Sequence, residues 1–429
     1  MDWNEWMREA TDPARDTKKD EALDDLVVLD VSSGSMAGVV CSSVLAEFGA
    51  EVIRLEPPGG DLVRQYSPDG FMHEGTGIGY LVEGRNKLHA TLDLEHAEGR
   101  ALFGRLAARA DVVVETYPAG VMDGWGIGYR QLREANPRLV YAAFTTYGQF
   151  GPKAGPAMAD LDLCDQALSG LSSITGEGDE RGAVPWAVPT KQGNWMAWYL
   201  GGVMGAFGVL AALHYRRLSG EGQMVDCSPA EALLRACSYE IPYFHGFQAV
   251  RERIGNRDVA VFPYTYVRTR DGYAFISGYT DANWAALCTI IERPELRERF
   301  PSIRERLNRE NQPVIQEEIE NWSSDLTFEE MRARVQAYTG PGVVAVGKLA
   351  APAETVKDEH WNIRGAFREI EDPTYGRLVV QNPPWRMSET PARLKWVCRR
   401  PGQDNGQVYM KYLGLGPSEV ERLRAGGVV

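Results

Sequence analysis

The stretch LVVLDVSSGSMAGVVCSSVLAEFGAEVIRLEPPGGD, residues 26–61, decides the fold class. Residues 26–31 form a short apolar run with β-branched members, the composition of a buried parallel strand. A Ser/Gly turn follows, and residues 36–48 carry the apolar spacing of a helix. Gly49 stands where a helix ends in the left-handed conformation, which glycine takes without a Cβ penalty. Residues 51–55 then resume a strand, so the spacing predicts strand, turn, helix and strand within about thirty residues. Chirality makes such a crossover right-handed and its two strands parallel.

The alternation continues downstream. Residues 90–94 read as a strand, 97–109 as an amphipathic helix, 111–115 (DVVVE) as a buried strand and 139–148 (LVYAAFTTYG) as another. This pattern predicts a Rossmann-like, doubly wound α/β domain. Residues 152–189 read as loops around a short helix at 162–171. Residues 195–217 read as a long helix rich in Gly and Ala, a core helix rather than a membrane span, since no second span accompanies it. A different texture begins at 225. The segment FPYTYVRTRDGYAFISG (262–278) reads as a strand pair turning at Asp271-Gly272, with Glu- and Arg-rich helical segments after it. The predicted organisation is an N-terminal extension (1–24), a large α/β domain (25–224), an inserted small α+β domain (225–335), and a return to the large domain with a C-terminal helix (336–429). The extension reads as a short amphipathic helix carrying Trp3, Trp6 and Met7.

A chain of 429 residues suits two domains rather than one. Its net charge of −13, with no Lys/Arg block, excludes a nucleic-acid partner. The charged N-terminus lacks an apolar signal region, which points to the cytoplasm and away from the membrane. Six cysteines and six histidines are scattered without ligand spacing, so reduced thiols and no metal site are expected.

Several segments in order resemble the class III CoA-transferase family (CaiB/BaiF, formyl-CoA transferase-like). They are VLDVSSGSMAG (28–38), LAEFGAEVIRLEPPGGDLVR (45–64), GRNKLHATLDLEHAEGRALFGRLAARADVVVETYPAGVMDGWGIGY (84–129), NPRLVYAAFTTYGQFGP (136–152), QALSGLSSITGE (166–177), GVLAALHYRRLSGEGQMVDCS (208–228) and LGLGPSEVERLRAGGVV (413–429). The resemblance implies CoA and acyl-CoA as substrates, with no permanently bound cofactor. It also implies an interlocked dimer in which each chain threads the other's opening. Met36 and Ala37 would border the CoA, with Leu92, Thr116, Tyr117 and Trp125 further along the groove. The turn at 32–37 suits this independently, because amides at a helix N-terminus hold phosphate or carbonyl oxygens.

Family transferases attack the donor thioester with an aspartate, forming an anhydride and then an enzyme-bound CoA thioester. That aspartate lies just before the GVLAAL-type helix, yet no Asp or Glu occurs between Glu180 and Glu221 here. The position falls on Trp198, or on Asn194 if a helical turn is inserted. Neither side chain can do the chemistry. Two cations common in the family are also replaced, by Glu95 and Gly124, which weakens CoA binding in this chain's own cleft. The GEHT-like stretch is replaced by GQDNG (402–406). Asp162 reads as the N-cap of the QALSG helix, while Asp160 and Asp165 read as lying away from the nucleophile's position. The run Pro57, Pro58, Gly59, Gly60 reads as a tight turn.

The expected function is therefore the non-nucleophilic subunit of a heteromeric CoA-transferase, paired with an aspartate-bearing paralogue. Succinyl-CoA:(R)-benzylsuccinate CoA-transferase of anaerobic toluene breakdown is a family heteromer of this type, and the chain resembles its aspartate-free subunit. Two alternatives are a 2-methylacyl-CoA racemase-like enzyme, for which AMADLD (157–162) lacks the histidine, and a stand-alone CoA-binding protein, against which the lost cations speak. GTGIGY (75–80) follows no strand and is a poor dinucleotide fingerprint.

Overall fold

The computed structural model describes residues 1–15, 18–155, 160–177 and 189–429. After α1 (Trp3–Thr11), the opening stretch folds as β1 (Val27–Asp30), α2 (Met36–Glu47) and β2 (Glu51–Glu56). Gly49 has φ 108°, the left-handed ending its sequence position called for. There follow β3 (Lys87–Thr91), α3 (Ala97–Ala107), β4 (Val112–Glu115), α4 (Tyr129–Ala135), β5 (Val140–Phe144), α5 (Asp162–Leu168), α6 (Met196–Ser219), β6 (Met224–Cys227) and α7 (Pro229–Ala236). The six strands form one sheet in the order β3-β2-β1-β4-β5-β6. Every pairing is parallel. This is the doubly wound Rossmann order.

The chain divides into two compact units. One comprises Met1–Leu171, Gln192–Ser238 and Asp358–Val429; the other comprises Ser172–Lys191 and Tyr239–Lys357. In the first unit, α2 and α6 pack one face of the sheet around Val28, Met36, Val112, Val140 and Val209. The other face is closed by α3 and by α8 (Asn405–Leu413) and α9 (Pro417–Ala425), around Leu29, Phe103, Val113 and Tyr409. Helix α6 is long and apolar enough to cross a membrane. Its glycines instead admit close neighbours. A Cβ on Gly202 would lie 2.6 Å from the Ala37 carbonyl oxygen and 2.7 Å from Val40 Cβ, and one on Gly205 would fall on the Phe144 ring.

In the second unit, β7 (Tyr264–Thr269), β8 (Gly272–Ser277) and β9 (Ala345–Lys348) form an antiparallel sheet in the order β9-β8-β7. Helices Asp281–Ile290, Gln312–Ser323 and Phe328–Gln336 cover it, with Trp284, Ile315 and Met331 fully buried. The Asp271-Gly272 turn joins β7 to β8 as expected.

Three sequence readings shift. Strand β3 starts at Lys87 rather than 90, because Lys87 and His89 are fully buried in it yet interrupt the apolar run. Residues 224–227 form the sixth strand of the large sheet, which the division at 224/225 would cut; polar Asp226 obscured it. Residues 336–357 belong to the second unit, since Ala345–Lys348 pair with β8. Within the loop reading of 152–189, residues 156–159 and 178–188 lie outside the described residues.

Candidate functional site at the switch point

Strand order reverses between β1 and β4, and ligands of open α/β sheets bind at the carboxyl ends of such strands. After β1 the chain turns through Ser32–Ser33–Gly34 into α2, whose N-cap Ser35 accepts from the Ala37 amide at 3.2 Å. Thr116, after β4, clasps this turn from the side. The Ser33 amide donates to Thr116 Oγ1 at 2.8 Å, and Thr116 Oγ1 donates to the Ser33 carbonyl at 2.9 Å. Asp61 clasps it from the other side, accepting from Ser33 Oγ at 2.7 Å and the Gly34 amide at 3.1 Å.

Beneath the turn lies a buried charge cluster. Asp30 accepts from the Ser32 amide (3.0 Å), Ser42 Oγ (2.5 Å), Arg54 Nη1 (3.0 Å) and Lys87 Nζ (3.3 Å), and Asp30, Arg54 and Lys87 are fully enclosed. Burial opposes its charge, but Arg54 and Lys87 prevail and hold Asp30 below the usual carboxylate range. Burial pulls Lys87 down to about 8. The turn is thereby anchored to three strands.

The residues expected along a CoA groove are spread across this edge. Met36 and Ala37 open α2, fully buried, and Thr116 is bonded to the turn beside them. Tyr117 and Trp125 pack edge to face with centroids 5.1 Å apart. Leu92 is buried just beyond β3, three strand spacings or roughly 14 Å across the sheet from β4. The structure thus brings Met36, Ala37 and Thr116 together, with Leu92 following the edge strand, across the sheet from Thr116.

Trp198 lies in the first turn of α6, buried and stacked on Tyr66 with centroids 5.8 Å apart. Its indole Nε1 donates to Asp160 Oδ1 at 3.3 Å. Asn194 is exposed in a left-handed conformation (φ 57°) ahead of the helix. Asp160 also accepts from Thr146 Oγ1 at 3.1 Å and is bonded to Ser35. Asp165, fully buried, faces Asp160 and Thr146. The expectation that Asp160 lies away from the nucleophile's position is therefore corrected, because α5 folds back over the first turn of α6, whereas Asp165 faces Asp160 rather than Trp198. Burial, and then the Asp160 charge, push Asp165 up to about 8; burial raises Asp160 too. The two carboxyls titrate as one unit that retains a proton at neutral pH.

That shift has a measurable sign. Between the ordinary carboxylate range and about 8, the folded state binds more protons at Asp165 than the unfolded chain, so stability falls with rising pH and levels off above that window. Asp165→Asn removes this contribution. In urea unfolding the variant should match the wild type near pH 4 and be the more stable of the two at pH 9. An unchanged difference across pH would refute the assignment.

Asp162 has a different role from the one its sequence position implies. It sits inside α5, and its Oδ1 accepts from the amides of Ala197 (2.8 Å) and Trp198 (3.1 Å), while Oδ2 accepts from Gln166 Nε2 (2.7 Å). It caps α6 rather than its own helix, and a cap supplied by another helix leaves no local sequence signature. Asp162→Ala should cost about 1–2 kcal/mol and loosen Trp198, visible as altered tryptophan fluorescence.

Asp61 and Tyr66, whose hydroxyl donates to the Gly34 carbonyl at 2.8 Å, were absent from the sequence reading of the site. The only local signal was an acidic residue after Gly-Gly at a strand end. Among the described residues, no three His, Cys, Asp or Glu side chains gather as metal ligands.

A parallel doubly wound sheet with a serine-glycine turn leading into a helix N-terminus defines an α/β protein of the class that binds nucleotide-bearing ligands. The chain belongs to CoA-transferase family III, whose pattern matches residues 23–405. It is 32% identical over 412 residues to the succinyl-CoA–L-malate CoA-transferase alpha subunit of Chloroflexus aurantiacus, covering 95% of this chain and 92% of that one. It is 30% identical over 400 residues to the beta subunit from the same organism, covering 92% and 95%. Among solved structures, a CAIB/BAIF family protein from Brucella suis superposes with a TM-score of 0.79 at 26% identity, covering 92% of this chain and 100% of that one. The protein is thus a class III CoA-transferase by family, and its substrates are CoA thioesters.

Proposed function

We propose that this chain is the non-nucleophilic subunit of a heteromeric class III CoA-transferase, the attacking aspartate coming from a paralogous partner. The observation that carries the reading is Trp198. An indole, stacked on Tyr66 and bonded to Asp160, fills the first turn of α6 where the family's aspartate is expected. Indole forms neither anhydride nor thioester, so no acyl group is held at this position. The naming of related chains as alpha and beta subunits supports a two-chain enzyme. In this reading the two chains interlock as a cytoplasmic heterodimer or larger heteromer.

The donor is succinyl-CoA and the acceptor a dicarboxylic acid, as the relatives' succinyl and malate substrates suggest. (R)-Benzylsuccinate, a substituted dicarboxylic acid, is the acceptor first in line, which would place the enzyme in anaerobic toluene degradation. CoA lies along Met36, Ala37, Leu92, Thr116, Tyr117 and Trp125, its carbonyl or phosphate oxygens facing the amides at the start of α2.

The test is expression alone and with the aspartate-bearing paralogue. Alone, the chain should show no CoA transfer and no hydroxylamine-sensitive acyl group. Together, transfer should appear, with the acyl label on the partner only. Robust transfer by the purified chain, or a labelled acid on it, would sink the proposal.

A further inference from the structure

A second feature of the first unit shares Asp61 with the serine-glycine turn. A cavity of about 700 Å³ opens between the loop after β2 and the C-terminal segment, and Arg64, Arg400 and Arg424 all contribute to its wall. That volume is within the usual range for small-molecule sites. In a chain of net charge −13, three guanidinium groups from separate segments share one wall.

The acidic side chains in the wall are Asp61 and Glu74. Asp61 is already engaged by Ser33, Gly34 and the Val63 amide, and it lies 3.7 Å from Arg54. Arg64 is neutralised by Glu56 at 2.6 Å. Among the described residues Arg424 pairs with exposed Glu421 alone, a surface contact of little worth. Arg400 is exposed and forms no ion pair among the described residues. Consecutive left-handed Gly59 and Gly60 (φ 98° and 94°) turn the loop's backbone at the same wall, and the Gly59 amide donates to no described group. Exposed guanidiniums and a free amide are donors of the kind that phosphate oxygens accept from.

We propose that this cavity is a phosphate-binding site in which Arg400 and Arg424 are the ligand-holding cations. Two sources carry that chemistry: the 3′-phosphate of CoA, or a free phosphate anion. The first rests on the CoA-transfer reading and offsets the cations replaced by Glu95 and Gly124; the second does not depend on it.

The experiment is calorimetric titration of the full chain with CoA, 3′-dephospho-CoA and inorganic phosphate at constant ionic strength. The wild type is compared with Arg400→Ala/Arg424→Ala, both positions being exposed and, among the described residues, without side-chain bonds beyond the Glu421 pair. We expect CoA affinity to fall about tenfold or more in the variant, with dephospho-CoA affinity unchanged. Loss of phosphate binding alone, with CoA bound normally or not at all, keeps the site and assigns it to a free anion; absent CoA binding would then count against the CoA-cleft reading only. Identical affinities of wild type and variant for every ligand, or no binding of any ligand, overturn the proposal.

Discussion

Trp198→Asp is expected to give this chain an acyl-carrying carboxyl that the wild type lacks, most fully when Asp160 is neutralised as well. The new side chain enters the first turn of α6, where the helix dipole favours a negative charge. The neighbourhood opposes it. Asp160 contacts the indole nitrogen at 3.3 Å and Asp165 stands behind, so a third carboxyl would stay protonated and attack poorly. Asp160→Asn lifts that repulsion while keeping partners for Thr146 and Ser35. Incubated with succinyl-CoA, the wild type should show no hydroxylamine-sensitive label, Trp198→Asp a trace, and the double variant labelling at least about tenfold above the single one. Replacing a buried indole costs about 3–5 kcal/mol, so folding is checked by circular dichroism and CoA binding by calorimetry. A folded, CoA-binding double variant without label would show that position 198 is not where the acyl group transfers.

Asp30→Ala is expected to produce the largest loss of stability. Removing the carboxylate strands Arg54 and Lys87, both fully enclosed. Lys87, already drawn down to about 8, can shed its proton, but arginine cannot. Among the described residues, Arg54 then keeps one ion pair, Asp61 at 3.7 Å, with Glu56 acting on it from further away. Breaking a buried pair in this way costs about 3–5 kcal/mol, against a total stability of about 5–15 kcal/mol for a typical domain. The exposed Arg377–Glu369 pair is the control, since Glu369→Ala should change stability by less than about 1 kcal/mol. Urea midpoints measure both. Equal, small effects would mean that the Asp30 cluster does not anchor the turn.

Much of the first unit was legible because its signals are local. Apolar runs at 26–31, 111–115 and 139–148 need both faces buried, and only a parallel sheet between helices supplies that. The strands that eluded the pattern carry polar residues whose partners are distant: Lys87 in β3 is satisfied by Asp30 and the Val39 carbonyl, and Asp226 in β6 accepts from the Gln149 amide. The end of the second unit was misplaced for the same reason, since Ala345–Lys348 becomes a strand of that sheet only by pairing with β8 some seventy residues earlier.

By itself, the order of residues determined the doubly wound class, the family and the absence of a carboxyl before the glycine-rich helix, because each depends on periodicity or on a side chain's identity at a position. Tertiary structure alone decided that Asp160 touches the indole, that Asp162 caps α6 rather than its own helix, and that Arg64, Arg400 and Arg424 share one cavity. These depend on bringing together segments tens to hundreds of residues apart. Hydrogen bonds and charges act over a few ångströms in space, and separation along the chain does not encode that distance.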